Sequence, residues 1–599
     1  MKTTKIIGLF VAFGLLLCTP IFAQTIPSER TVDWSQAGLL TPIDEPNLLV
    51  SVTDYGAIGD GNTNDSPAVQ QAIDELGGNP GILFFPAGTY LLTQPIIAYS
   101  GLIIKGEGSD LSYLKFYLSS DSQNGIQVSA GQSEAFQSVI SGYTKGSSTL
   151  ELASTSGLET GDFMEMREDN GDWDVVPISW AEHSVGQILQ ITAINGNQIS
   201  LNHGLRIDYE ASLNPQIRKI EPIQQVKIEN LKIERLDEPS TGGGKNIYFG
   251  YAINCQVSGV ESSKSQGSHI YITASSNILV FGNYIHDAFL YDGTATRGYG
   301  LTLNMHTGEV LVENNIFRNL RHAMMVKTGA NGNVFTYNYA REPHRSEPIS
   351  NYSGDISVHG HYAYANLFEE NICQNIFIDH YWGPGGPLNT FFRNRTELYG
   401  IIMTSSSLLE TQEQNFVGNE ISNSFPYGFF SLTGSNHFEY GNNDGGSAIP
   451  TGTTNLDDIS YYYSGRPWFV ETSLPFPAIG YPNIINQWVN PAKERYENGE
   501  TMTEQLDETV GIKQFPEDKT MGIKLLENPV SNLLKIQMTQ AQESLQFHIY
   551  SLTGQVVIMG QIPKNSEFFQ INMDQLSSGI YLLNISNPSF RKTIKIEKH

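Results

Sequence analysis

Ionisable side chains concentrate between residues 286 and 395 of this 599-residue chain. Between residues 297 and 345 there are six Lys or Arg residues and three acidic ones, whereas the whole chain has 35 basic against 62 acidic residues and a formal charge of −27. A local reversal of charge sign in an acidic chain indicates a site that attracts anions. Five histidines lie in or near this stretch: His306, His322, His344, His359 and His361.

A repeated short strand brings some of these side chains into one column. The repeated segments are residues 270–273, 301–304, 324–327, 356–359 and 376–379. Alternate residues of a strand face opposite sides, so if the third residue of each segment is buried, the fourth faces outward. The outward residues are then Thr273, Asn304, Lys327, His359 and Asp379. Neighbours in such a column are about 4.8 Å apart, and Lys327, His359 and Asp379 are the predicted catalytic residues.

Further residues are predicted to bind substrate around this column. His306, His361 and Tyr381 come two residues later in their coils, and Trp382 offers a ring for stacking on a sugar. Two longer repeats carry the loops 291–298 and 341–354, which we expect to overhang the column, because extra loop length on a repeat scaffold marks the binding side. The predicted substrate-binding set is Arg297, Asn304, His306, Arg341, His344, Arg345, His361, Tyr381 and Trp382.

Lys327 beside His359 suits removal of a proton α to a carboxylate. Each cation lowers the pKa of the other, which leaves a neutral base near pH 7, while Asp379 orients the imidazole and an arginine holds the carboxylate. This favours a lyase that cleaves a uronate-containing polysaccharide by β-elimination. A glycosidase needs two carboxyl groups about 5 to 9.5 Å apart, and Asp355 lies four residues out of register with Asp379, about 13 Å away. A hydrolase that pairs Asp379 with a loop acid and a non-catalytic glycan-binding or adhesive protein remain the alternatives.

The scaffold beneath the column is visible as a repeat. An asparagine follows a short apolar strand six times, with steps of 32, 23, 33, 23 and 25 residues, at Asn283, Asn315, Asn338, Asn371, Asn394 and Asn419. A period in the low twenties built of strands and turns predicts a parallel β-helix with three short strands per coil. Asparagine fits a repeated turn because it tolerates a left-handed backbone. We expect the six asparagines to stack, one per coil.

The first coils resemble a known family. Val52 to Ser66 leads into a segment from Pro67 to Leu76, in which Asp65 or Ser66 can cap a short helix, and an apolar strand and turn follow at residues 81–90. Residues 50–92 resemble the opening of the pectate-lyase-like superfamily. The resemblance implies a right-handed parallel β-helix closed by an N-terminal helix, in a superfamily that includes hydrolases, lyases, epimerases and phage tailspikes.

No metal site is predicted. Asp60, Asn62 and Asn64 occupy positions 1, 3 and 5 of a calcium loop, but Asp65 and Gln71 stand where that loop has Gly and Glu. The pattern therefore predicts a capping turn, and the cofactor stays unknown, with calcium open.

The N-terminus predicts export. Residues 1–23 have a basic start, an apolar run of 13 residues and a small-residue cleavage site, as in a secretory signal peptide. Removal of Lys2 and Lys5 changes the formal charge from −27 to −29, which argues against a nucleic-acid partner. No other stretch reaches 18 apolar residues, so no transmembrane segment is predicted.

The last 80 residues alternate short strands with turns, as in a small β-sandwich. Glu527-Asn528-Pro529, residues 550–556, residues 576–581 and the basic pair Arg591-Lys592 resemble the C-terminal sorting domain of the type IX secretion system of Bacteroidetes. The resemblance implies that the secretion machinery is a partner. It also implies that the protein passes through the periplasm and is secreted or attached to the cell surface.

The predicted fold is all-β. It comprises a signal peptide at 1–23, a leader at 24–49, a parallel β-helix at 50–497 with a β insertion at about 138–222, a linker at 498–520 and a β-sandwich at 521–599. Cys18 falls in the signal peptide, and Cys255 and Cys373 are either core residues or a disulfide.

Overall fold

A computed structural model describes residues 25–598, except for residues 133, 241, 347–352, 424–425, 473–475, 481–487, 500–501, 507–522, 527–529, 539–544, 552–555, 565, 578 and 588–589. The predicted signal peptide and most of the predicted linker lie outside the described residues.

Three columns of short parallel strands form the body of the protein, as predicted. The first column contains Leu49–Ser51, Gly81–Phe85, Leu102–Gly106, Lys227–Glu229, Ala252–Ser258, Ser276–Phe281, Leu311–Glu313, Val334–Thr336, Leu367–Glu369, Thr390–Phe392, Asn415–Val417 and Phe438–Tyr440, with Ile223–Gln224 alongside. The second contains Asp60–Asn64, Gly88–Leu92, Ser112–Phe116, Lys232–Arg235, Glu261–Ser265, Tyr284–Ala288, Ile316–Arg318, Tyr339–Arg341, Glu420–Ile421 and Asn442–Asp444, with Ser447–Ile449 folded back on its end. The third contains Ile96–Ile97, Ile126–Ser129, Ile247–Gly250, Ile270–Thr273, Tyr299–Asn304, His322–Val326, Ile356–His359 and Phe429–Ser431. Ile372–Asp379 and Arg395–Met403 are long strands that run through both the second and the third columns.

Alternation along these strands builds the core. In the third column the buried residues in register are Ile272, Leu303, Val326, Val358 and Ile378. They join one apolar cluster that runs through the coils. The residue after each of them faces outward, which confirms the predicted register.

A buried asparagine ladder holds one corner of the coils together. Each amide Nδ2 donates to the Oδ1 of the next asparagine at 2.9–3.0 Å, through Asn283, Asn315, Asn338, Asn371, Asn394, Asn419 and Asn442. The stacking prediction is confirmed, but its explanation by backbone conformation was wrong. The left-handed φ belongs to the preceding residue, for example 55° at Tyr337 and 54° at Glu370. The asparagine is needed instead for its amide: in Asn338, for example, Oδ1 accepts two hydrogen bonds and Nδ2 donates two.

A second amide ladder, from Asn333 through Asn366 and Asn389 to Gln414, runs along another corner at 2.8–2.9 Å. It was not predicted from the sequence. Together the two ladders satisfy buried backbone groups at the turns, where strands cannot pair them.

One helix, Ser66–Leu76, closes the start of the coils, with Pro67 in its first turn. Asp60 accepts hydrogen bonds from the backbone N–H groups of Asn62 and Thr63, which is the predicted turn. A second helix, Pro491–Asn498, follows the last strand of the coils in the sequence. Short 3₁₀ turns occur at Ser28–Arg30, Val52–Tyr55, Ser179–Ala181 and Ala211–Leu213.

The predicted β insertion is a closed antiparallel barrel. Its strands are Gln137–Ser141, Thr149–Leu152, Phe163–Arg167, Gly186–Asn195, Gln198–Leu201 and Gln216–Ile220. Buried polar side chains attach it to the coils. Glu165 of the barrel accepts a hydrogen bond from His306 of a coil at 2.8 Å, and Arg206 of the barrel pairs with Glu309 of a coil.

The C-terminal region forms two antiparallel sheets with a core of their own. One sheet contains Ile523–Leu525, Leu533–Met538 and Phe568–Asn572, and the other contains Leu545–Ser551, Val556–Ile562, Gly579–Asn587 and Phe590–Lys598. Cys255 and Cys373 are free thiols in the apolar core. Within the described part of the chain, no helix has the length and apolar character needed to cross a membrane.

Candidate active site

The outward face of the third column carries the predicted catalytic residues. Strand pairing places His359 directly opposite Asp379, and Lys327 follows Val326, which pairs with Val358. Lys327, His359 and Asp379 are therefore neighbours in three successive coils. We call this surface the groove face.

His359 and Asp379 form a close pair. His359 Nδ1 lies 2.5 Å from Asp379 Oδ2, so the imidazole donates this hydrogen bond to the carboxylate. The other carboxylate oxygen accepts the backbone N–H of Tyr381 at 3.1 Å. With both oxygens engaged the carboxylate is fixed, and it fixes the tautomer of His359 with Nε2 as the free base.

Basic groups and a second imidazole gather beside this pair. The ring of His322 lies 5.8 Å from that of His359 and 4.8 Å from that of Tyr299. Burial, followed by the charges of Arg321, His359 and Arg345, lowers the pKa of His322 well below its ordinary value. His322 is therefore neutral at pH 7 and lies among positive charges. His322 and Arg321 belong to the basic stretch recognised in the sequence but were not predicted as site residues.

Lys327 lies between two aromatic rings. Its ammonium is 5.1 Å from the ring centroid of Trp180 and 6.0 Å from that of Tyr271. Burial, reinforced by the positive charge of Lys245, lowers the pKa of Lys327 to about 8. The side chain is half-buried rather than sealed, so it remains accessible from the groove face.

Aromatic side chains form one wall of the groove face. Trp180, from a 3₁₀ turn of the barrel segment, meets Trp382 edge-to-face at 5.2 Å, and Trp382 meets Tyr381 at 5.0 Å. Tyr381 is 75% exposed. His361 is buried behind them, with its ring 5.0 Å from Trp180, and burial lowers its pKa. Rings of this kind can pack on the apolar faces of sugars, and the binding of a sugar by Tyr381 and Trp382 stays a prediction.

Asn304 lies on the groove face, where its Nδ2 donates to Thr273 at 3.2 Å. Arg345 also lies near the site, since its charge acts on both His322 and Tyr299. The His344 ring packs edge-to-face on Tyr291 at 4.4 Å, and the backbone N–H of His344 donates to the carbonyl of Leu320. The prediction that the loop 341–354 overhangs the groove face stays a prediction, because residues 347–352 lie outside the described residues.

Three predicted substrate-binding residues are placed elsewhere. Arg297 is buried and pairs with Asp292 at 2.9 Å. Arg341 ends a strand of the second column, pairs with Glu342 at 3.2 Å and packs on Tyr496. Both residues were predicted from the extra length of their loops, which does not show which partner a guanidinium takes.

The third of these residues, His306, is almost fully buried between Glu165 and the carbonyl oxygen of His183, at 2.8 and 2.6 Å. Its outward position is covered by the inserted barrel, whose docking place was not readable from the sequence.

The sequence predicts that Asp355 and Asp379 are too far apart to act as the carboxylate pair of a glycosidase, and the structure agrees. Asp355 is buried, and its N–H donates to Asn375, four residues before Asp379. Burial raises the pKa of Asp355 to about 7. This carboxyl group serves the coil interior rather than the groove face.

Comparison with known proteins finds three segments of this chain that match family models. Residues 49–155 match the family model described as rhamnogalacturonase A/epimerase, pectate lyase-like, and residues 219–346 match that of the right-handed β-helix region. Each model covers about a fifth of the chain, and the strand pairing shows the parallel β-helix itself. Residues 527–598 match the secretion system C-terminal sorting domain, so this β-helix protein is exported and is secreted or held at the cell surface.

Individual relatives match this β-helix protein over short segments. A glucan 1,3-β-glucosidase of Cochliobolus carbonum is 39% identical over 83 residues, which are 12% of this chain and 10% of the relative. The plasmin and fibronectin-binding protein A of Streptococcus pneumoniae is 45% identical over 58 residues, 9% of this chain and 8% of the relative. The chain thus spans about a tenth of the length of these curated relatives.

Solved structures show similar architecture at low identity. The tailspike protein gp49 of Pseudomonas phage LKA1 has a TM-score of 0.46 and 16% identity, with 62% of this chain and 64% of that chain covered. The exopolygalacturonase of Thermotoga maritima has a TM-score of 0.36 and 12% identity, with 64% and 82% covered.

Proposed function

We propose that this protein is a polysaccharide lyase that cleaves a uronate-containing glycan by β-elimination. The observation that carries the proposal is the His359–Asp379 pair, at 2.5 Å, next to Lys327 on a face surrounded by basic groups. It supplies a fixed neutral base, a proton donor and positive charge for a carboxylate, which are the three needs of this reaction.

The steps follow from these positions. Arg321 and Arg345 neutralise the uronate carboxylate, which acidifies the proton on the adjacent C5. His359 Nε2 removes that proton, and Asp379 stabilises the imidazolium that forms. Electrons from the broken C5–H bond form the C4=C5 double bond while the C4–O4 bond breaks. The Lys327 ammonium donates a proton to the departing O4, which stays on C1 of the neighbouring unit, so the products are an unsaturated uronate at a new non-reducing end and a chain with a new reducing end.

Three features tune these groups for the roles. The pKa of Lys327, about 8 in the free protein, leaves its ammonium largely protonated at pH 7 and therefore able to donate a proton. The neutral His322 adds no repulsion toward the protonated His359. Trp382 and Tyr381 offer rings on which a sugar unit can stack.

The test is turnover on uronate-containing and neutral polysaccharides, followed at once by ultraviolet absorbance of conjugated uronate and by reducing ends. We expect absorbing products from a uronate glycan. His359→Ala should lower kcat by about 10²- to 10⁴-fold, the usual worth of a general base. His548→Ala, a matched change in the C-terminal sandwich, should leave kcat unchanged.

A glycoside hydrolase is the second candidate, because two of the short matches are to proteins named as a glucan 1,3-β-glucosidase and a probable glucan endo-1,3-β-glucosidase. Reducing ends without ultraviolet absorbance would identify hydrolysis and reject elimination. Binding of a glycan without any product would instead indicate a non-catalytic binding protein; the streptococcal relative is named as a plasmin and fibronectin-binding protein.

A further inference from the structure

Two lysines converge on one tyrosine ring of the groove face. The Lys245 ammonium is 5.4 Å and the Lys327 ammonium 6.0 Å from the ring centroid of Tyr271. Lys245 comes just before the strand Ile247–Gly250, which pairs with the strand of Tyr271. The two lysines therefore reach toward each other from opposite sides along the third column.

The Lys245 ammonium donates a hydrogen bond to the carbonyl of Gly243, but neither Lys245 nor Lys327 has a carboxylate partner among the described residues. Burial lowers the pKa of both lysines, and the charge of Lys245 lowers that of Lys327 further. Other partly buried lysines are paired: Lys105 with Glu229 at 3.2 Å, Lys232 with Glu261 at 2.6 Å and Lys493 with Glu397 at 2.5 Å. Buried charges are ordinarily paired, so an unpaired pair of cations in a chain with 62 acidic residues is unusual.

An unsatisfied acceptor lies beside them. Asn304 precedes Lys327 in the outward column, and its Oδ1 is buried without a hydrogen-bond partner. Its Nδ2 is already used by Thr273. A hydroxyl group that enters the groove face would satisfy this oxygen. Tyr248, which stacks on Tyr271 at 5.9 Å and 11°, extends the same surface toward the first coils.

We propose that Lys245 and Lys327 form a second anion subsite of the groove face, which binds the carboxylate or sulfate ester of the sugar unit on the leaving side of the scissile bond. A hydroxyl group of that unit donates to Asn304. The inference rests on the proposed function, in which Lys327 protonates the departing oxygen and so lies next to this unit. It specifies the substrate class as a glycan with anionic groups on adjacent units.

The titration of the two amines agrees with an unfilled anion site. Burial lowers the pKa of both Lys245 and Lys327 to about 8. An anion held between the two amines would reverse this effect, since an opposite charge within reach favours the protonated form.

The direct test measures amine reactivity, which does not depend on turnover. The full-length protein is labelled with an acylating reagent over a pH series, with and without inorganic sulfate or polygalacturonate, and each lysine is quantified by mass spectrometry. We expect either anion to raise the labelling midpoints of Lys245 and Lys327 by about one pH unit. The midpoint of Lys264, which is exposed on the second column and pairs with Glu234, should stay unchanged. Unchanged midpoints at Lys245 and Lys327 with both anions would overturn the inference.

A second measurement uses variants and a panel of glycans. Lys245→Met should weaken binding of the anionic glycan by about tenfold, as expected for loss of a charge-assisted contact. Lys245→Arg should restore most of the affinity, and Lys264→Met should leave it unchanged. Carboxyl-reduced glycan should bind wild type and Lys245→Met equally. Sulfated and uronate glycans compared side by side tell which anion the subsite takes.

The outcomes separate this inference from the proposed reaction. If the wild type eliminates uronate but Lys245→Met has wild-type affinity, the second subsite is wrong and the reaction stands. If no elimination occurs but an anionic glycan binds and Lys245→Met weakens it, the subsite stands and the reaction is wrong.

Discussion

Asp379 acts on the reaction only through His359, and this makes its contribution separable from binding. The carboxylate accepts from His359 Nδ1 and from the backbone N–H of Tyr381. Asp379→Asn keeps the shape but presents an amide that can donate to Nδ1, which favours the tautomer with its proton on Nε2, where no base remains. We expect kcat to fall by about 10²-fold or more while KM stays within a few-fold.

The control for this change is Asp110→Asn, an exposed carboxylate in a turn of the first coils. It should retain wild-type kcat. Steady-state kinetics together with thermal melts of both variants decide the matter. A melt of Asp379→Asn far below wild type would mean that the carboxylate serves stability, and an unchanged kcat would exclude the orienting role.

The pH dependence of kcat/KM reports Lys327. If its ammonium is the proton donor, activity is lost as the pH rises through its folded pKa of about 8, rather than above 10 as for an ordinary lysine. Lys245→Met removes the positive charge that adds to the effect of burial on Lys327, so the alkaline limb should move to higher pH. An alkaline limb that stays in place in Lys245→Met would show that another group donates the proton.

At the scale of the structural elements, the asparagine ladder is expected to carry measurable stability. Asn371 accepts the backbone N–H and the Nδ2 of Asn338 and donates to Asn394, all in the buried corner. Asn371→Ala leaves those donors without a partner, at an expected cost of about 3 kcal/mol in unfolding free energy. Asn197→Ala, in an exposed hairpin of the barrel, should change it by less than about 0.5 kcal/mol. Chemical denaturation of the two variants measures the difference, and equal midpoints would contradict it.

Acid should loosen the barrel from the coils. Burial alone would raise the pKa of Glu165, but the hydrogen bond from His306 and the charge of Arg218 lower it to about 2. A carboxyl group with a lowered folded pKa contributes stability above its ordinary pKa of 4.5, and this contribution is lost as the pH falls from there toward 2. Hydrogen exchange at pH 7, 4 and 3 should show barrel amides losing protection first.

The coils provide the internal comparison for this acid experiment. Burial raises the pKa of Asp355 and of Glu369 to about 7, so their protonation in acid relieves a cost and favours the folded coils. Glu165→Gln should abolish the selective acid response of the barrel. Simultaneous loss of protection in barrel and coils would contradict the separate attachment.

The sequence was sufficient for the coil register and insufficient for the walls of the site. His359 and Asp379 could be placed opposite each other because a period of two along each strand and an asparagine at each corner fix both direction and register. Trp180, Tyr271 and Lys245 could not be identified, since they approach Lys327 from the barrel segment and from earlier coils. The burial of His306 has the same origin, because nothing in local periodicity tells where an inserted domain docks.

At the scale of the whole molecule, the charge distribution favours binding of the proposed polyanionic substrate at the groove face. The chain carries 62 acidic and 35 basic residues, so most of its surface repels a polyuronate. The basic groups around His322 and the unpaired Lys245 and Lys327 are concentrated at one site. For the proposed polyuronate substrate, this arrangement favours association at the groove face.

The C-terminal sandwich is expected to be necessary for export and dispensable for catalysis. Its buried side chains form their own cluster. Among the described residues, its strands pair only with one another, and the isolated bridge between Val530 and Lys598 also lies within this region. A chain that ends at residue 506 should therefore keep the activity and the thermal melt of the coils, because no coil loses a strand or core residue. The truncated chain lacks residues 527–598, which match the sorting domain, so we expect it to stay inside the cell. Fractionation of the native host measures how much of the truncated chain is in the cells and how much is in the medium, with His548→Ala as the exported control. Truncated chain in the medium at the level of that control would assign export to another part of the protein.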